Sequence, residues 1–77
     1  MNSPVLKKHA AALATRLHAE AEDETQRLEL LWLRVLGRPI RATEEQEARA
    51  FLAAVGDGAW RELSHALFAS NEFLMRL

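Results

Sequence analysis

Nine residues, Leu28-Glu29-Leu30-Leu31-Trp32-Leu33-Arg34-Val35-Leu36, decide most of what this chain can fold into. Projected at about 100° per residue, Leu28, Leu31, Trp32, Val35 and Leu36 share one broad face, while Leu30 and Leu33 fall on the other side. A helix here is apolar nearly all round. It needs neighbours on two or three sides, or it keeps an apolar strip for something else. Gly37 ends the helix as a left-handed cap, and Pro39 stops it from resuming. Glu29 and Arg34 interrupt the run well short of the roughly 18 apolar residues that a membrane span requires. The pattern predicts a helix over about 24–36 that serves as the hub of the fold.

The rest of the chain supplies more helix and almost nothing for strands. Alanine and leucine are abundant, tyrosine is absent, and the few β-branched residues do not alternate with period two. The chain has no cysteine, so neither disulfides nor a thiolate metal site can staple it. A chain of 77 residues has room for one core only. Ser3 is placed to cap a first helix with Pro4 at its first position, and Leu6, Ala10, Leu13, Leu17 and Ala21 form a narrow stripe along it. The acids at Glu20, Glu22, Asp23 and Glu24 suit the start of the second helix, with Asp23 and Gln26 at capping-box spacing.

Thr43-Glu44-Glu45-Gln46 reads as a capping box opening a third helix, which carries Ala48, Phe51, Leu52 and Val55 up to Gly56. Asp57 announces a fourth, with Trp60, Leu63, Leu67 and Phe68 along one side. Ser70 reads as a restart that caps a short last helix bearing Phe73, Leu74 and Leu77. The expectation is an all-α fold: a compact bundle of four helices plus a short C-terminal helix, as a single helical domain over 1–77.

Little in the chain points to chemistry. His9 and His18 are too far apart for the i, i+4 spacing of a helical zinc site, His65 lies on another helix, and no motif offers a third ligand. Glu44, Glu45 and Glu47 form an acidic cluster, but acids are what a helix N-terminus prefers. Ser64 and His65 are neighbours that diverge by about 100° on a helix and cannot form a nucleophile–base pair. Gly56-Asp57-Gly58 lacks the Gly-Lys-Ser/Thr that follows in a phosphate loop and reads as a turn. Trp32 and Trp60 could serve as stacking platforms, yet both fall on apolar stripes and are assigned to the core. The reading therefore expects no catalytic residue, no metal and no cofactor.

Partners follow from charge and leftover surface. Ten Lys/Arg against eleven Asp/Glu give a net charge of −1, which lacks the excess that draws a protein to nucleic acid nonspecifically. Arg34, Arg38 and Arg41 nevertheless gather around the turn after the second helix, where a helix-turn-helix would meet DNA. The acids at Glu44, Glu45 and Glu47 follow at once and offer to neutralise them. A small DNA-binding regulator is thus the alternative reading. The favoured one is a noncatalytic packing or protein-interaction module that meets another protein, the remainder of a larger chain, or a second copy of itself. Its candidate surface is Val5, Leu30, Leu33 and Leu74. Met1-Asn2-Ser3-Pro4 is not a charged segment leading into an apolar one, so no export signal is expected within these residues.

The order of motifs also resembles a known family. Met1-Asn2-Ser3-Pro4-Val5, Ala12-Leu13-Ala14-Thr15-Arg16-Leu17, Leu31-Trp32-Leu33-Arg34-Val35-Leu36-Gly37-Arg38-Pro39, Thr43-Glu44-Glu45, Ala50-Phe51-Leu52 and the stretch from Trp60 to Leu74 look like the C-terminal end of the large planctomycete and verrucomicrobial surface proteins of the PSD1 type, domain of unknown function 1553. Leu-Gly-Arg-Pro and Ser-Asn-Glu-Phe-Leu, in that order, are the most specific pieces. The resemblance implies that this segment follows a much longer chain and that the location is exported or cell-surface. It also implies a place beside an enzyme acting on polysaccharide as a third possibility. It carries over no catalytic residues.

Overall fold

A computed structural model describes the backbone of residues 4–75 and the side chains of residues 7–70. Four helices follow one another: α1 (Pro4–Glu20), α2 (Glu24–Leu36), α3 (Ala42–Val55) and α4 (Ala59–Met75). Among the described residues there is no strand. The all-α bundle expected from the sequence is the fold observed.

Helix boundaries follow the local chemistry. The Asp23 side chain accepts from the Thr25 N–H at 3.3 Å and caps α2. Gly37 closes the same helix at φ 72°, returning its N–H to the Leu33 carbonyl, a conformation that only glycine adopts readily. The start of α3 lies earlier than expected. The cap is Arg41 rather than Thr43, because the Glu44 carboxylate turns back to accept the Arg41 N–H at 2.9 Å. The other correction concerns the C-terminal end. No separate short helix begins at Ser70, since α4 runs on through Met75. Serine tolerates a helix interior at small cost, and no Gly or Pro breaks the hydrogen-bond ladder there. The Ser3 cap and the side chains of Leu6, Phe73 and Leu77 lie outside the described residues.

Leu28 and Leu31 are fully buried, Trp32 and Val35 nearly so, and with Leu13, Leu17, Ala48 and Leu63 they form the core. Leu30, Leu36, Ile40, Phe51, Leu52, Trp60, Leu67 and Phe68 pack around it, partly buried. So α2 supplies the bulk of the apolar volume, as its pattern requires. It is not the geometric hub, however. The helix that packs most extensively against all three others is α4, above all against α1, whereas α2 meets α3 more lightly. That contact is made of small residues: Ala10 and Ala14 on α1 and Ala59 and Ser64 on α4 are all buried, which lets the two helices approach closely. The Ser64 hydroxyl donates to the Trp60 carbonyl at 2.7 Å, so burying it leaves no polar group unpaired. Val55, expected on the core stripe of α3, is instead 41% exposed in the helix's last turn.

Candidate functional site

The outer face of α2 holds the sequence-predicted surface residues that the structure describes. Leu33 is 48% exposed, while Leu30 is half-buried against the core. Of the two leucines projected away from the main apolar face, the helix turns Leu30 toward its neighbours and Leu33 away from them. Val5 and Leu74 belong to the described backbone, but their side chains do not. Beside Leu33 the chain leaves α2 through Gly37, and Pro39, Ile40 and Ala42 come round to line a shallow groove of about 470 Å³ with it. Glu29, Arg41 and Glu45 complete the lining.

The three arginines do not form one basic patch. Arg34 reaches across to Glu20 at the end of α1. Arg38 grips Glu44 with both arms of its guanidinium, Nη1 to Oε1 at 2.9 Å and Nη2 to Oε2 at 2.7 Å. Arg41 is exposed and makes no ion pair among the described residues. Glu44 is held at about 2, well below the usual carboxylate range. The main cause is the Arg38 guanidinium, opposed by partial desolvation and aided by the Arg41 N–H. The indole N–H of Trp32, buried without a hydrogen bond of good geometry, lies close enough to the same carboxylate to add to the effect. Glu44 therefore joins the α2–α3 turn to the start of α3. A second latch joins α3 to the start of α2, where Arg49 bonds the Glu24 carboxylate at 3.0 Å and the Thr25 hydroxyl.

A second concavity was not foreseen. Between α1 and the α3–α4 turn lies an open groove of about 530 Å³, with His18, Trp60, Asp57 and Arg61 among its walls. His18 and Trp60 meet edge to face, ring centroids 5.9 Å apart at 87°. Trp60, assigned to the core from its stripe, is thus only partly buried. The His18 Nδ1 lies 2.8 Å from the Ala14 carbonyl and donates its proton to it. Asp57 does not hydrogen-bond the imidazole, and the Ser64 hydroxyl is committed to the backbone of its own helix. Among the described residues no three His, Asp or Glu side chains converge on a common point. No sequence rule brings residues 18 and 60 together; only the α1–α4 packing does.

Compared with known proteins, the chain matches no family model, no curated protein and no solved structure. Among the described residues, no helix is long and apolar enough to cross a membrane.

Proposed function

We propose that this chain is a noncatalytic helical module that docks onto another protein through the outer face of α2. The observation that carries the reading is Leu33, 48% exposed in the last turn of a helix whose other large apolar side chains are buried or half-buried. A single exposed leucine is ordinary on a protein surface. This one is extended by Pro39, Ile40 and Ala42 into a continuous groove, and Glu29 and Arg41 stand beside it as unpaired charges. An apolar centre with a polar rim is the usual anatomy of a binding surface.

The resemblance to the C-terminal region of the planctomycete surface proteins adds the remainder of a larger chain as one form this partner could take. A DNA-binding regulator has less to draw on, because Arg34 and Arg38 would each have to leave a carboxylate before meeting a phosphate.

The test is photo-crosslinking in the cell that makes the protein, with a photo-reactive leucine analogue at position 33 and, as control, at the exposed position 53 on α3. A discrete adduct from position 33 and none from 53 is expected. Silence at position 33, or equal labelling from both, would refute the reading.

A further inference from the structure

We infer that the occupant of the α2 groove is a second copy of this chain, joined about a two-fold axis that passes beside Leu33. The inference rests on the docking reading above and names its partner. A two-fold interface must be self-complementary: whatever lies on one side of the axis has to suit what lies on the other. The groove has that property. Glu29 lies one helical turn before Leu33, and Arg41 follows the C-terminal cap of α2, so the two charges line the groove from either side of the leucine in the chain.

Neither charge is paired among the described residues. The described ion pairs engage Glu20, Glu24, Glu44 and Glu45 with Arg34, Arg38 and Arg49, leaving Glu29 and Arg41 out. When two α2 helices pair antiparallel about Leu33, each Glu29 meets the end of the other helix from which the second copy's Arg41 projects. The leucines cover each other, Leu30 lies toward the second copy's Leu36, and both free carboxylates find both free guanidiniums. Parallel pairing would set like charges side by side. The contact is centred on one exposed leucine, so the dimer is weak and forms at high micromolar concentration.

Sedimentation equilibrium on the whole purified chain, from about 10 to 500 µM, reads this directly. The wild-type mass should rise toward that of a dimer, and Leu33→Asp should hold it at monomer with unchanged helicity by circular dichroism. Charge reversal gives the sharper reading. Glu29→Arg alone and Arg41→Glu alone should each weaken the dimer about tenfold, because each sets like charges across the axis. An equimolar mixture of the two variants should restore association, as should the double variant.

A wild-type chain that stays monomeric, or reversals that fail to rescue each other, would overturn the two-fold assignment. In that case an adduct from position 33 heavier than two copies would keep the docking face and assign it to a different protein. The absence of any adduct would remove both.

Discussion

The α1–α4 seam and the α2–α3 corner hold together by opposite means. The seam is apolar and close: Ala10, Ala14 and Ala59 are buried in it, Leu17 is fully buried nearby, and its buried hydroxyl is satisfied by its own helix. The corner is latched by charge, through Arg38 on Glu44 and Arg49 on Glu24 and Thr25. Burial of apolar area is indifferent to pH and little affected by salt, whereas a half-exposed carboxylate–guanidinium pair depends on both. One molecule thus contains an acid-resistant half and an acid-labile half, and substitutions in the two should respond differently to conditions.

The largest effect is expected at Leu17, which has no exposed surface. Leu17→Ala should lower the unfolding free energy by about 2–4 kcal/mol, with a loss that is the same at pH 7 and pH 3 when followed by urea denaturation. A pH-dependent loss there would erase the contrast.

Glu44→Gln should cost less, about 1–2 kcal/mol at pH 7, since the pair is partly exposed and solvent screens it. The sign of its pH dependence follows from a folded-state value depressed from 4.5 to about 2. The stabilisation is complete above the unfolded value and disappears as pH falls from about 4.5 toward 2. The two proteins should therefore converge in stability in acid, and a difference that persists at pH 2 would show that Glu44 acts by shape rather than charge.

Asp23→Ala, which removes the cap of α2 beside the Arg49 latch but breaks neither ion pair, should cost about 0.5–1 kcal/mol. It should shift the thermal midpoint by only a few degrees, and a larger loss would show that the cap also holds Thr25 in place for Arg49.

The four helices and most of their boundaries were legible because they are local, whereas the expected short fifth helix is the end of α4. Asp23, Gly37, Gly56 and the acids after Arg41 satisfy or block backbone groups within one turn, and the sequence displays that directly. Two boundaries misled for the same reason. Ser70 has the chemistry of a cap, but an unbroken ladder of hydrogen bonds outweighs one side-chain acceptor. Thr43 has it too, but Arg38 fixes Glu44 so that the helix opens two residues earlier.

Placing α2 at the centre confused two properties. Apolar bulk reveals how much a segment buries, not how far its length packs along its neighbours, and the alanines and serine of the α1–α4 seam give a weaker hydropathy signal than leucines do. The candidate site was half legible: helical projection separated Leu33 from the core face, while the turn that brings Pro39 and Ile40 beside it, the dispersal of the arginines, and the meeting of His18 with Trp60 all depend on tertiary packing.

The seam joins the first helix to the last, across nearly the whole length of the polypeptide. During synthesis α1 leaves the ribosome long before α4 exists, and until then its alanine stripe has no surface to rest on. Until α4 emerges α1 must wait, exposed to chaperones and proteases, and only then does its alanine stripe gain a surface to pack on.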